Sequence, residues 1–345
     1  MEIGIFSFGD TYPDPETGVR LTARESLRDL LERIRLADTL GLDYYGVGEH
    51  HRTDFSVSAC STVLSAAAAV TERIRLGTAT TVLTTDDPIR LYEQFSTLDV
   101  LSDGRAEIGL GSGGFLEPYA LFDVDYDARH AVFAEKIERF AAIDAAEDGD
   151  TNAIVGGMVW PRPLAGRLRI AQSTGVDAAS FARAARLGFG VQTTAPTPRF
   201  EELAAHVDDY RTAGAAAGFS ADRLRVEYAS HAYVGDDRQR AIDDFFPHYR
   251  AYVANMRVNQ GKPAPTREQY EAAVEDLDSN ILVGDAASVI AKIAHQHERL
   301  GHDRHLFQID WRAVPQAAQL RAIEILASDV LPAVRRLTRP VAVAA

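Results

Sequence analysis

Short apolar runs and longer amphipathic segments alternate along the chain. Between Thr22 and Gly41 the apolar residues recur every three or four positions, which predicts a helix that ends at the glycine. Pro88 opens another helical segment, which extends to Leu101, since proline is favoured in a first helical turn. The runs between such segments predict eight strands: Ile3–Phe8, Tyr44–Gly48, Ile74–Leu83, Arg105–Leu110, Leu168–Ala171, Gly190–Thr193, Arg225–Val234 and His305–Ile309.

The regular alternation of strands and helices predicts the fold. Strands joined through helices pair in parallel, and eight units favour closure into an α/β barrel, the (β/α)8 or TIM barrel, over an open sheet. We expect a single barrel domain over residues 1–338 and a frayed C-terminal tail at 339–345. Gly261–Leu282 interrupts the alternation after the seventh strand's helix and is interpreted as an excursion rather than a second domain.

Composition narrows the functional classes. The net charge of −14, from 36 basic and 50 acidic residues, argues against binding to nucleic acid or to an anionic membrane. The single cysteine, Cys60, excludes an internal disulfide and a cysteine-based metal site, and we expect it to be a packed small residue. No signal segment opens the chain and no apolar run approaches the roughly 20 residues of a membrane span, so a cytoplasmic protein is expected.

Because functional residues of such barrels lie at the carboxyl ends of the strands, these ends carry the candidate chemistry. Glu49, His50 and His51 follow the second strand. Histidine titrates near neutral pH and serves as an acid, a base or a hydrogen-bond donor. Adjacent residues of an extended chain point opposite ways, so the two histidines are not expected to share a metal ion. The alternative is that one of them only packs in the barrel mouth.

Three further strand ends suggest a ligand site. Small hydroxyl residues follow the third strand, where threonine is equally explained as a good strand former. The fourth strand leads into Gly109–Gly114, which matches GxGxxG. The motif follows a fourth strand, however, and Phe115–Pro118 does not resemble a helix start, so a dinucleotide fold is disfavoured. Gln172–Asp177 after the fifth strand opens a helix, where amides and hydroxyls suit a phosphate or simply cap the helix.

Gln308, Asp310 and Trp311 lie at the end of the last strand and directly after it. Trp311 is explained either as a residue that stacks on a ligand ring or as core that covers the barrel end.

Together these segments resemble the bacterial-luciferase-like flavin oxidoreductase family, from Ile3 to about Leu337. The resemblance depends on several motifs in the right order rather than on any one of them. They are Gly48–His51, Arg75–Ala79 through Asp87–Arg90, Leu98–Arg105, Pro265–Tyr270 and Val330–Pro332.

The resemblance implies a monooxygenase that oxidises a small organic substrate with O2 and reduced FMN, the latter supplied by a separate flavin reductase. A branch of the family uses a deazaflavin and transfers hydride instead. By this resemblance His50 is the catalytic acid/base with His51 beside it, the Ala79–Thr80 peptide is cis, and the protein is a homodimer. No metal is expected. The implied cofactor-binding residues are Glu49, Ala79, Thr80, Gly111, Ser112, Gly113, Gln172, Ser173, Thr174, Gly175 and Val176.

Three departures from the family bear on the cofactor. Ser112 stands where FMN-binding members often carry an arginine that meets the phosphate, and the stretch Asp144–Leu168 is short. One charge-assisted bond contributes ~1.5–3 kcal/mol, so we expect FMN to bind roughly ten- to a hundred-fold more weakly than in a relative with that arginine. Arg312 lies in a turn that often carries glycines, either as a replacement anion site or as a surface arginine. A non-catalytic flavin-binding barrel is therefore a third possibility.

Overall fold

The computed structural model describes residues 1–146, 159–258 and 263–338. Its strands are β1 (Glu2–Ser7), β2 (Tyr44–Val47), β3 (Arg75–Thr78), β4 (Thr81–Val82), β5 (Glu107–Gly111), β6 (Arg169–Ser173), β7 (Gly190–Thr193), β8 (Val226–Val234), β9 (Ile281–Gly284) and β10 (Arg304–Gln308). Its helices are α1 (Ala23–Leu40), α2 (Cys60–Ala68), α3 (Pro88–Leu101), α4 (Glu117–Leu121), α5 (Arg129–Ala145), α6 (Ala178–Leu187), α7 (Phe200–Ala216), α8 (Arg238–Val258), α9 (Arg267–Glu275), α10 (Ala286–Leu300), α11 (Gln316–Ile325) and α12 (Leu331–Leu337).

The strands pair in parallel in the order β3, β2, β1, β10, β8, β7, β6, β5, β4. A further parallel bridge, between Leu76 and Ala106, closes the sheet on itself. The predicted α/β barrel, the (β/α)8 or TIM barrel, is therefore confirmed. The third predicted strand is two strands, β3 and β4, which are separated at the Ala79–Thr80 peptide; this peptide is cis, as predicted.

The predicted excursion has structure of its own, and one further expectation needs correction. The excursion after the seventh barrel strand contains α9 and then β9, because β8 is nine residues long and pairs with β9 along its second half after β10 ends. The segment Phe115–Pro118 does lead into a short helix, α4, with proline in its first turn. Residues 147–158 of the stretch Asp144–Leu168 and the tail at 339–345 lie outside the described residues.

Register arranges the barrel interior in layers. Glu2, Arg304 and Glu227 are paired across β1, β10 and β8 at the amino end, and Phe6, Gln308 and His231 are paired across the same strands at the carboxyl end. Side chains two residues apart on a strand share a face, so both layers point into the barrel. The main apolar core lies outside it, between sheet and helices. None of the helices in the described ranges is long and apolar enough to cross a membrane.

Candidate functional site

His50 lies in an aromatic cluster at the carboxyl end of β2. Its ring centroid is 4.4 Å from that of Phe8, 4.2 Å from that of Phe55 and 5.1 Å from that of Phe115. Burial disfavours the imidazolium and lowers the pKa of His50 to about 4, although a hydrogen bond to the Glu49 backbone acts in the opposite direction. At neutral pH His50 is therefore a neutral imidazole, able to accept a proton.

His51 points away from this cluster, as the alternation of an extended chain requires. Its Nε2 lies 2.8 Å from Glu49 Oε1, and its ring lies 4.8 Å from that of Phe122. The other Glu49 carboxylate oxygen accepts the Val82 N–H at 3.1 Å. Glu49 also donates its backbone N–H to the Thr80 carbonyl at 3.0 Å. Glu49 thus fixes the loop after β2 to the segment between β3 and β4.

A cavity lies beside His51, between α2 and α3. It measures about 210 Å³, and Glu49, His51, Cys60 and Thr81 are among its lining residues. Cys60 is buried there, and burial raises the pKa of its thiol, so the thiolate is disfavoured. Across the described ranges, no cluster of three or more histidine, cysteine, aspartate or glutamate side chains could hold a metal ion.

The turns after β5 and β6 line one cavity of about 580 Å³, which we call the turn cavity. Seven residues predicted to bind the cofactor line it, namely Thr80, Gly111, Ser112, Gly113, Ser173, Thr174 and Gly175. Gly111 is required by space, because a Cβ there would lie 2.7 Å from Thr80 Oγ1. Gly113 has a φ of 77°, a left-handed conformation that glycine adopts without a steric penalty. The turns thus bring backbone close to any occupant.

Four predicted cofactor residues are not part of this cavity, and one of them, Glu49, lines the cavity beside His51 instead. Gln172 is paired in register with Leu110 and Val191, whose side chains pack outside the sheet, so its fully buried amide points away from the barrel interior. Val176 belongs to the apolar core beside α6 and α7. Ala79 packs against the small apolar cluster inside the barrel.

Sequence reasoning missed an arginine and a histidine at the turn cavity. Arg183 of α6 and His130 of α5 line it together with the two turns. Arg183 is half-buried, and its guanidinium carbon lies 5.7 Å from the centroid of Phe133. Its position two turns into the helix after the fifth barrel strand was the available signal, since α6 begins at the cavity with Asp177 as its N-cap.

A third missed residue is His231, which points into the carboxyl end of the barrel. Its Nδ1 lies 2.8 Å from Gln308 Oε1, and its ring lies 4.0 Å from that of Trp311. Burial lowers the pKa of His231 to about 4. Asp310 accepts the backbone N–H groups of Phe8 and Gly9 at 2.8 and 3.0 Å, so it holds the loop after β1 in place.

Comparisons with known proteins agree with this architecture. The family model described as luciferase-like monooxygenase matches residues 1–304. The oxygenase component of the flavin-dependent trigonelline monooxygenase of Acinetobacter baylyi is 26% identical over 335 residues, which cover 90% of this chain and 91% of that protein. The crystal structure of the monooxygenase RslO1 from Streptomyces bottropensis has a TM-score of 0.81 at 26% identity and covers 96% of this chain and 99% of that one.

Two more distant structures share the fold. The FMN complex of the oxygenating constituent of 3,6-diketocamphane monooxygenase from Pseudomonas putida has a TM-score of 0.74 at 18% identity, covering 96% of this chain and 98% of that one. The coenzyme F420-dependent tetrahydromethanopterin reductase of Methanopyrus kandleri has a TM-score of 0.67 at 18% identity, with 96% and 98% covered. With its closed parallel barrel and a family match over residues 1–304, the chain belongs to the luciferase-like monooxygenase family.

Proposed function

We propose that this protein is the cytoplasmic oxygenase of a two-component, FMN-dependent monooxygenase, which oxidises a small organic compound with O2. The observation that carries the proposal is the turn cavity, where two turns rich in glycine and hydroxyl residues meet Arg183 at the carboxyl end of the barrel. A separate flavin reductase would supply reduced FMN, and we expect the oxygenase to act as a homodimer.

The turn cavity fits the phosphate of FMN by its donor chemistry. Its hydroxyls (Ser112, Ser173, Thr174) and the start of α6 offer donors to an anion. The absence of an arginine at Ser112 is offset by Arg183, which supplies a guanidinium from the neighbouring helix instead of from the turn. This changes the expectation of weak FMN binding, because the charge-assisted bond has a candidate donor. Arg312 is not among the residues that line this cavity.

When bound, reduced FMN would supply the electrons that activate O2. The protein's own residues then position the ring, exclude water and move protons. His50 would begin as a neutral imidazole and accept a proton at a ring nitrogen, and the surrounding Phe8, Phe55 and Phe115 rings keep bulk water from it. His51 is engaged with Glu49 on the other side of the loop, so we assign it a positioning role.

The test is a calorimetric titration of the full chain with FMN and, separately, with a deazaflavin cofactor. We expect FMN to bind, and Arg183→Met to weaken it roughly ten- to a hundred-fold, the value of one charge-assisted bond. Arg186→Met is the matched control, since Arg186 lies on the same helix, pairs with Glu138 and does not line the cavity.

The alternatives give different results in the same titration. Tight deazaflavin binding without FMN binding would replace the monooxygenase by a hydride-transfer oxidoreductase. FMN binding without turnover, with a reductase and a panel of substrates supplied, would favour a non-catalytic flavin-binding barrel.

A further inference from the structure

Arg312 has an unusual backbone conformation in the turn after β10. Its φ is 45° and that of Ala313 is 62°, so two consecutive residues with side chains adopt the left-handed region. Glycine would adopt it without steric conflict. The turn is held by two contacts: the Ala313 N–H donates to Asp10 Oδ2 at 3.2 Å, and His248 Nδ1 donates to the Arg312 carbonyl at 2.7 Å. Such strain at a barrel mouth is a reason to look for function in the side chain.

The Arg312 guanidinium lies over an aromatic ring, and two of its nitrogens have no acceptor among the described residues. Its carbon is 3.9 Å from the ring centroid of Tyr12, and Tyr12 is buried. These two nitrogens, Nε and Nη1, are buried and have no hydrogen-bond partner within residues 1–146, 159–258 and 263–338. The indole Nε1 of the preceding Trp311 is also buried, without a partner in the same ranges. Buried charged donors without an acceptor are unfavourable, so an anionic partner would stabilise them.

Nearby acids do not fill that role. Asp10 and Asp310 both accept backbone N–H groups, that of Arg312 itself included for Asp10, and neither pairs with the Arg312 guanidinium in the described part of the chain. Asp54 is engaged by Arg20 and Arg52. The guanidinium therefore retains donors for a ligand.

A row of rings connects Arg312 with His50. The ring of Tyr12 lies 5.4 Å from that of Phe55, which lies 4.2 Å from that of His50. Phe8 packs on the same side, 5.9 Å from Phe55. We call these four side chains, Phe8, Tyr12, His50 and Phe55, the aromatic wall. Its faces and edges favour a planar ring by offset or edge-to-face contact.

We infer that Arg312 binds the carboxylate of an aromatic or heteroaromatic acid, whose ring lies along the aromatic wall and extends toward His50. The fork of a guanidinium matches a carboxylate, and its contact with the Tyr12 ring restricts where the guanidinium lies. The inference rests on the proposed function for the reaction, and it names the class of substrate. Arg312 would be a specificity-determining residue, distinct from the turn cavity.

The test uses benzoate as the probe, with benzamide and acetate as matched compounds that lack the charge or the ring. Binding to the full chain is measured by calorimetry with and without FMN. We expect benzoate to bind at least tenfold more tightly than either compound. Arg312→Met should reduce benzoate affinity to that of benzamide and leave benzamide affinity unchanged, whereas Arg312→Lys should retain part of the preference. Arg90→Met, at an exposed arginine, is the control.

Arg312→Gly is a second variant that removes the guanidinium. It is not expected to disturb folding, because glycine adopts the positive φ without steric conflict. It should raise or maintain the thermal unfolding midpoint and lose the preference for benzoate. The inference is overturned if benzoate does not bind the natural protein in either condition, or if both the Met and the Gly variants keep the preference. If the natural protein does not bind FMN but still prefers benzoate in a way that depends on Arg312, the proposed function is overturned and this inference stands.

Discussion

Removal of the Arg304 side chain should strongly destabilise the barrel. Arg304 is fully buried at the amino end of the barrel interior. Its Nη1 donates to Glu107 Oε2 at 2.7 Å and to Glu227 Oε1 at 2.8 Å, and its guanidinium carbon lies 4.2 Å from the ring centroid of Tyr44. Arg304→Met keeps much of the volume and removes the charge, so two buried carboxylates lose their shared partner.

The size of the stability loss depends on the partners that Glu107 and Glu227 keep in the variant. Breaking a buried ion pair by removing one partner costs about 3–5 kcal/mol of unfolding free energy. Arg75 still pairs with Glu107, and the Gln192 amide still donates to Glu227 at 3.0 Å. Because both carboxylates keep one donor, we expect a loss near the lower end, about 3 kcal/mol.

The loss should depend on pH. Burial raises the pKa of Glu107, but Arg304 and Arg75 outweigh it and hold that pKa at about 2. Its stabilising contribution is therefore present above the unfolded-state pKa of ~4.3 and is lost as the pH falls toward 2. Burial raises the pKa of both carboxyl groups, and Arg304 lowers both. Without Arg304, the pKa of Glu107 and that of Glu227 should therefore rise. The folded variant would then take up protons before the unfolded chain does, so its deficit should shrink as the pH falls.

Urea unfolding at about pH 8 and about pH 5 measures both effects. Arg20→Met is the control, because Arg20 is 45% exposed and its pair with Asp54, at 3.0 Å, is of the kind that contributes at most about 1 kcal/mol. A loss below about 1 kcal/mol for Arg304→Met, or an equal loss at both pH values, would refute the reasoning.

Three other outcomes are expected. Gly111→Ala should lower FMN affinity at least tenfold, because the added Cβ would lie 2.7 Å from the Thr80 hydroxyl oxygen. Gly114→Ala should leave FMN affinity unchanged, because the described structure has no atom within 4 Å of its added Cβ. A fluorescence titration with FMN compares the two variants. His50→Ala should reduce stopped-flow turnover roughly 10²–10⁴-fold and leave FMN affinity nearly unchanged. Burial lowers the pKa of His305 to about 3, so its contribution is present above the unfolded-state pKa of ~6.5 and is lost as the pH falls; His305→Gln should reduce the stability lost between pH 7 and pH 5 by about 2 kcal/mol in urea unfolding. Asp310 acts in the opposite sense, because burial raises its pKa to about 6.

Local signals in the sequence determined several elements to the residue. Pro88–Leu101 begins at the proline because Asp87 caps it, accepting the N–H groups of Ile89 and Arg90. The helix Ala23–Leu40 ends before Gly41, as predicted, and the φ of 82° at Gly41 is the usual left-handed stop. These signals lie within one turn of the element they bound, so no tertiary information was needed. The family motifs likewise placed His50 at a strand end and predicted the cis peptide at Ala79–Thr80.

The tertiary structure alone decided which of these residues meet. Arg183 joins the turn after β5 because α6 packs beside that turn, a contact between segments about 70 residues apart that local periodicity does not encode. His231 faces inward because β8 and β10 pair in the register that places it beside Gln308. A shift of that register by one residue would turn the His231 side chain to the outer face of the sheet. Arg312 holds a conformation that its own propensity disfavours, because Asp10, some 300 residues earlier, binds the turn. The pattern of residues within a segment predicts the backbone conformation of that segment. The candidate site is formed by contacts between segments that are far apart in the sequence.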